Sequence, residues 1–557
     1  MVGKDTMLGK RVIALIITGA TGLAFALLGL NAFRASADSG PSTQVSGDVV
    51  INELMYHPAA GVDDCEYVEL TNTGTLTVDL SGWRFSDGFD YVFPTGTLLP
   101  PDGYLVVAHD PVAVAGQYGL DPGWLLGPFA AKRLSNGGER VALCDGRGEL
   151  VDKVTYDDDL PWPEEPDGQG PSLELINPAF DNDRACLWAA SSDQGTPGAQ
   201  NSVYALDVSP CVEGVIHSPL LPTSIQTTTV TARIEDDSAI TTAIVYHRRD
   251  DGALFEGAVM RDDGCGADAV PGDGVYTAQL PPYTDGTLVE YYVEASDDAG
   301  STTRAPRDAP GKTSSETGRP VTIDYLFLVE DVPPVSERPI YRLLITGENW
   351  NELTTRDLFS NALLDATFVY GDEVYYNVGL RYRGESSRNT IPRPYRVDFP
   401  STHLFQGVER LNLVSDHISR EALTYDLFRR AGMVASDAEF VDLHINADPG
   451  TLYLSVEQVD EAFLSAHFSG DDGGNLYRAK DGGDLSYRGP NPDDYRPYYL
   501  KKSNESDDDY SDVIALTDAL DNSPEESFKV AAETVADMDQ WLRWFALNAI
   551  VFNQEGA

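Results

Sequence analysis

From residue 46 to about 300 this chain is cut every few residues by Gly, Pro or Asp, and the pieces between the cuts are strand-length. Such a cadence leaves no room for long helices and points to all-β sandwiches. Residues 49–56, 66–70, 104–108 and 140–143 read as strands of one unit, 46–201. Charged and apolar residues interleave through 66–70, which predicts one buried face. Trp83 and Trp188 read as core side chains of this unit. Residues 227–234, 243–247 and 289–295 read as strands of a second unit, 205–300. Residues 301–325, rich in Ser, Thr, Pro and charge, read as a linker.

After residue 325 the pattern changes. Residues 340–345 and 374–380 read as strands, 419–428 as an amphipathic helix, and 539–548 as a strongly apolar helix expected to be buried. Strands first and helices after predict an α+β, two-lobed architecture for 326–557. The fold expected is therefore multidomain, with two immunoglobulin-like all-β sandwiches followed by an α+β domain.

The chain carries 89 acidic residues against 39 basic ones, a formal net charge of -50. That field repels nucleic acid and anionic lipid, so neither is expected as a partner of the whole chain. Lys4, Lys10 and Arg11 precede an apolar run, 12–30, and then Ala35-Ser36-Ala37. This is the layout of a secretory signal over 1–37, and the run is also long enough for a retained membrane anchor. Either reading places the remainder in a secreted, cell-envelope or extracellular setting. There the five cysteines can oxidise. Cys211 and Cys265 flank the second unit, and a bridge between them is expected. Cys65, Cys144 and Cys186 share the first unit, where at most one pair forms.

Against this charge stands one basic block. Arg381, Arg383, Arg388, Arg393 and Arg396 fall within sixteen positions. Guanidinium groups are permanently charged forks suited to phosphate or carboxylate. Strand alternation puts Arg381 and Arg383 on one face, and Arg396 and Asp398 likewise. A phosphoryl-transfer site needs such cations, a metal held by carboxylates, and an acidic partner that positions a cation. Glu457, on a strand-like run, is the candidate partner. In the second unit, Asp262, Asp263, Asp268 and Asp273 alternate with Gly and offer hard oxygen ligands for calcium, with Asp-Gly turns as the simpler account.

Several segments carry family resemblances. Ile51-Asn52-Glu53-Leu54-Met55-Tyr56, residues 66–72, Asp79-Leu80-Ser81-Gly82-Trp83, Phe93-Pro94, Gly103-Tyr104 and the closing residues 195–201 are together similar to a bacterial lamin-tail domain. That resemblance implies an immunoglobulin-like sandwich with a binding or anchoring role. The second unit resembles a fibronectin-type or immunoglobulin-like sandwich. Residues 379–388, Pro394-Tyr395-Arg396-Val397-Asp398-Phe399, Leu411-Asn412-Leu413, Arg420-Glu421, 452–460 and 474–478 resemble, in order, the spore-coat protein H (CotH) kinase family.

The CotH resemblance implies an exported or surface-associated atypical protein kinase. It would use ATP with magnesium or manganese and act on exported or surface proteins. Cofactor-binding residues implied on this chain are Arg383, Arg393, Arg396, Glu457 and Lys480. Members commonly have Lys where this chain has Arg393 to Arg396, and there is no Lys between 313 and 479. Arg and Lys are not equivalent at a phosphate, so Lys480, Lys501 or Lys502 are alternative cations. Members follow the last helix with metal-binding and catalytic Asp residues. At that place this chain has Asn553 and Glu555, the candidate metal ligands, with Glu555 the candidate catalytic carboxylate. The remaining carboxylates are expected beyond residue 557, which makes the kinase-like domain, 326–557, incomplete in this sequence. The alternative expectation is a non-enzymatic surface scaffold or adhesin with a degenerate kinase-like domain.

Overall fold

The computed structural model describes residues 14–16, 49–121, 125–129, 133–468, 470, 473–480, 482–504 and 509–551. The expected signal or anchor over 1–37 lies outside these residues, apart from Ala14–Ile16, a short strand beside Leu476–Ala479.

The first unit is a sandwich. A six-stranded sheet built around Val49–Met55, Tyr67–Asn72 and Tyr104–Ala108 packs on a four-stranded sheet that includes Glu139–Cys144 and Leu150–Tyr156. Ile51, Leu70, Leu143, Val154 and Trp188 meet between them. Trp188 is fully buried and donates its indole N–H to Asn182 O at 2.7 Å, while Trp83 packs at the margin of the same core.

The strand Tyr67–Asn72 is buried on both faces, not one. The second cover is the closing segment near residues 195–203. Glu53, Glu69 and Glu174, all fully buried, hold it. Glu53 accepts from Thr196 N (2.8 Å), Tyr67 Oη (2.6 Å) and Ser172 Oγ (2.6 Å), Glu69 from Gly198 N (2.5 Å), and Glu174 from Ser202 Oγ (2.7 Å) and Val203 N (3.1 Å). Buried carboxylates are tolerated when every lone pair is occupied in this way.

The second unit is also a sandwich, with sheets centred on Thr228–Glu235 and on Leu288–Asp297. Residues 301–325 are not a linker. Thr302–Ala305 and Tyr325–Leu328 both pair with Leu288–Asp297, because its free edge still needs hydrogen-bond partners. The cysteine pairing also differs from expectation. Cys186 bonds Cys211, with Cα atoms 5.5 Å apart, and ties the two sandwiches together; Cys265 is free and exposed in the loop before Val275–Leu280.

The third unit opens with a closed barrel of seven strands: β1 (Ile340–Leu344), β2 (Leu364–Tyr370), β3 (Glu373–Tyr382), β4 (Tyr395–Asp398), β5 (Arg410–Val414), β6 (Ala438–Ile445) and β7 (Thr451–Glu457). The order around it is β1-β2-β3-β4-β5-β7-β6. Six neighbouring pairs are antiparallel, so a seven-strand ring can close only through one parallel pair, β6 on β1. Leu343, Phe368, Val378, Leu380, Val397, Leu411 and Val441 fill the interior. Helices are α1 (Gly347–Thr355), α2 (Ile418–Arg430), α3 (Glu461–His467), α4 (Ser511–Asn522), α5 (Phe528–Val535) and α6 (Met538–Val551).

The strand half of the expected two-lobed domain is thus a closed barrel. The apolar C-terminal helix, α6, is not buried as expected: Leu547 and Asn548 are covered, while Leu542, Phe545 and Ile550 are exposed. Among the described residues, little packs against that second face.

Barrel and second sandwich share a core. Leu288, Leu326 and Leu328 meet Leu344, Val369 and Val374. At the seam Tyr376 Oη contacts His217 Nδ1 and lies 2.8 Å from Tyr291 Oη. Burial holds His217 neutral, with its pKa lowered to about 4. Tyr376→Phe leaves His217 Nδ1 and Tyr291 Oη only their own longer contact of 3.3 Å, and should cost about 1–3 kcal/mol in denaturant unfolding.

A second buried device lies in the same sandwich. Arg248 forks onto Glu290 (3.1 and 2.9 Å), and beside it Asp324 is fully buried, with neither oxygen accepting a hydrogen bond from the described residues. Burial first, and then the charge of Glu290, push the Asp324 carboxyl far above its ordinary range. A carboxyl with a raised folded pKa supports the fold below the ordinary carboxylate pKa and loses that support as pH rises. The slope for one proton is roughly 1.4 kcal/mol per pH unit. Asp324→Asn removes the titration, so its melting temperature should fall less than that of the parent between pH 5 and pH 8.

Candidate phosphate-binding face

Adjacent barrel strands place Arg381 opposite Arg396, and Arg396 opposite Asn412. Leu380, Val397 and Leu411, one residue along, point into the barrel core. The pleat therefore puts Arg381, Arg396 and Asn412 on the outer surface. Helix α2 lies on that surface, with Ala422 packed on Val414, Ala438, Leu454 and Val456.

The five arginines have different jobs. Arg388 is 4% exposed and staples a loop: its Nε donates to Gly384 O (2.5 Å), Nη1 to Leu358 O (3.1 Å) and Ser360 O (2.8 Å), and Nη2 to Asn361 Oδ1 (2.6 Å). Gly384 sits at φ +82°, a conformation that L side chains rarely adopt, and starts this turn. Arg396 forks onto Asp398, two residues along the same face, with Nε to Oδ1 at 2.5 Å. Arg393 donates to Arg388 O and lies 5.1 Å above the Tyr382 ring. Arg381 donates to Asn361 Oδ1 and Tyr382 O, both at 3.1 Å. Burial, then the charge of Arg396, lowers its pKa to about 10. Crowded guanidinium groups of this kind favour an added anion.

Arg383 is set apart. Its Nε donates to Asn412 Oδ1 at 2.8 Å, and Asn412 Nδ2 donates to Gln458 Oε1 at 2.8 Å. Among the described residues nothing accepts from its two terminal nitrogens. Glu421, on the first turn of α2, lies within its field. Burial raises the Glu421 pKa to about 7, and Arg383 and then Arg420 oppose that rise. An oriented guanidinium with two open nitrogens and a carboxyl beside it can take a phosphate oxygen pair.

The structure does not bring Glu457 to the arginines. Glu457 accepts from Asp437 N (2.8 Å) and faces His467 Nε2 (2.8 Å); Asp437, Glu457 and His467 offer ligand atoms within 4.8 Å of one another. Arg429 already supplies Asp437 with a counter-charge. Lys480 is exposed; its backbone N donates to Tyr498 O (2.8 Å) and its backbone O accepts from Gly483 N (2.8 Å). Lys501 is buried, in the strand Tyr499–Lys501. Asn553 and Glu555 lie outside the described residues. Glu421, Asn412 and Gln458 are the site residues that sequence reading does not single out. All three fall inside motif segments, but their link to Arg383 runs across strands and a helix, where spacing is silent.

In the second sandwich, Asp262, Asp268 and Asp273 converge within 4.8 Å, and Asp263 stands apart beside Arg261. Their oxygens serve the loop itself. Asp262 accepts from Gly272 N (2.6 Å), Asp273 N (3.2 Å) and Gly274 N (3.0 Å), Asp268 from Gly264 N (2.5 Å) and Val270 N (3.2 Å), and Asp273 from Val275 N (3.0 Å).

Comparison with known proteins places two domains on this framework. The family described as CotH kinase protein matches residues 380–556, and the Lamin Tail Domain family matches 42–158. The chain is 24% identical over 231 residues to the inner spore coat protein H of Bacillus subtilis (strain 168), covering 40% of this chain and 62% of that protein. Two Listeria monocytogenes structures overlap at low similarity. One is an uncharacterized protein in complex with glucose, magnesium and calcium, at 12% identity, covering 37% of this chain and 16% of that one, with a TM-score of 0.14. The other is a cycloalternan-forming enzyme with a pentasaccharide, at 9% identity, covering 36% and 20%, with a TM-score of 0.13. At those scores neither carries an argument.

The loop staple is directly testable. Arg388→Met leaves three carbonyls without their donor and should lower unfolding free energy by at least about 2 kcal/mol in urea titration.

Proposed function

We propose that this chain, a CotH-like protein with an N-terminal lamin tail domain, is an exported or cell-surface protein of the atypical-kinase type. Its barrel face takes the phosphates of ATP, and its sandwiches hold it at its place of work on exported protein targets. The observation that carries this reading is Arg383, held by Asn412 and Gln458, with its terminal nitrogens open and Glu421 of α2 alongside. A cation fixed at the end of a strand and attended by a helix carboxylate is what nucleotide phosphates require. ATP would supply the transferable phosphoryl group, and a divalent ion would offset the charge of its phosphates. On this chain's side, Arg383 orients the phosphates and Arg381 adds to the positive field. Arg388 fixes the turn that borders them. The metal ligands, with Asn553 and Glu555 as candidates, fall outside the described residues.

The spore-coat relative supports work outside the cytoplasm. No helix among the described residues is long and apolar enough to cross a membrane. The second reading, a non-enzymatic scaffold, draws on Arg388 and Arg396, whose charges are already engaged within the protein.

Binding of ATP with manganese or magnesium, followed by calorimetry, tests the site. Arg383→Gln should weaken ATP by about 10- to 100-fold, the worth of one charge-assisted contact of about 1.5–3 kcal/mol. Arg396→Gln should weaken it less, since Asp398 already holds that guanidinium. Equal affinity of parent and Arg383→Gln would overturn the site. Nucleotide binding without transfer of labelled phosphate would favour the scaffold.

A further inference from the structure

The Cys186–Cys211 bridge spans 25 positions, and the loop it closes contains the whole segment, 195–203, that covers Glu53, Glu69 and Glu174. The loop begins in the strand Trp188–Ala190, which pairs with Leu173–Leu175. It ends at Val208 and Cys211, both buried in the core of the first sandwich, where the second sandwich starts with the strand Cys211–Ser218. Between these ends the segment is held mainly by polar contacts. Thr196, Gly198 and Val203 donate their amides to the three glutamates. Asn52 Nδ2 donates to Asn201 Oδ1 (2.7 Å), and Asn201 Nδ2 donates to Asn52 O (2.9 Å). Apolar burial adds little: Pro197 is buried, but Tyr204 is exposed and Leu206 is 78% exposed. On opening, such hydrogen bonds exchange for bonds to water, and three buried carboxyl groups regain solvent, so the polar contacts alone hold the segment weakly.

Outside the loop, Arg184 forks onto Glu213 (3.1 and 3.0 Å) and reaches Glu235 (3.1 Å), both on the second sandwich. These groups are partly exposed, and ion pairs in contact with water contribute little. The covalent bridge is therefore the strongest restraint on the loop. Closing a loop of this length removes most of its open conformations. Cys186 is half-buried and within reach of a small thiol, whereas Cys211 is buried.

We propose that the Cys186–Cys211 bridge is a redox clamp. With the bridge formed, segment 195–203 stays shut over Glu53, Glu69 and Glu174. With two thiols in its place, the segment opens locally while the rest of the sandwich stays folded. Closure joins Cys186 Sγ to Cys211 Sγ. The two thiols give up two electrons and two protons to a disulfide oxidant, which leaves as two thiols. A reducing compartment keeps the pair apart, and an oxidising one closes it. The clamp does not depend on the nucleotide reading.

The full chain, cycled between glutathione disulfide and dithiothreitol, tests this by hydrogen exchange of peptides covering 195–203. Exchange there should be about 100-fold faster in dithiothreitol, the scale of closing a loop of this length. Exchange in Glu139–Cys144, a strand of the same sandwich outside the loop, should not change. Returning glutathione disulfide should restore protection in the parent but not in Cys186→Ser/Cys211→Ser. The reversible cycle on the parent separates loss of the clamp from failure of the variant to fold. Alkylation of the oxidised, denatured chain should label Cys65, Cys144 and Cys265 and leave Cys186 and Cys211 unlabelled. Labelling of Cys186 and Cys211 in the oxidised chain, equal exchange of 195–203 in both conditions, or equal loss of protection in Glu139–Cys144 would each overturn the proposal.

Discussion

The parallel pairing of β6 with β1 is the contact on which the rest of the third unit depends. Without it the seven strands would form an open sheet with two unpaired edges. With it, every strand has two neighbours, and one face of each is committed to a sealed apolar interior. The outer face is then the only place for charge. Arg381, Arg396 and Asn412 are aligned there by register, and α2 brings Glu421 to the same surface. Closure also fixes Leu344, Val369 and Val374 as a platform on which the second sandwich rests.

A chain this acidic has to bury some of its carboxylates, and it does so in two physically different ways. Glu53, Glu69 and Glu174 accept hydrogen bonds from a returning loop and so close the first sandwich. Asp324 keeps a proton beside an ion-paired Glu290. The first arrangement is satisfied and the second is neutralised. The arginine block is the converse: most of its charge is engaged within the barrel, and Arg383 keeps open nitrogens.

Much of the strand content could be read from sequence, because Gly, Pro and Asp mark strand ends and a pleated strand shows its faces at a period of two. The 66–70 segment shows the limit. Its charges suggested an exposed face, but Glu69 is covered by a segment more than a hundred residues away. Residues 301–325 looked like a linker because their composition is polar, yet Thr302–Ala305 within them and Tyr325–Leu328 at their end complete a sheet. Cys211 pairs with Cys186 across a domain boundary, which grouping cysteines by unit could not anticipate. At the site, the arginines announced themselves by their contrast with the acidic chain. Glu421, Asn412 and Gln458 did not, since single polar residues become partners only when strands and helix converge.

The sequence alone determined the order of modules, the two family resemblances and the unusual gathering of arginines, because these follow from local pattern. Only the tertiary structure decided which arginine keeps open donors among the described residues and which acid stands beside it. Those outcomes depend on register, barrel closure and packing between domains. They are set by contacts between residues far apart in the chain, whose free energy no local window contains.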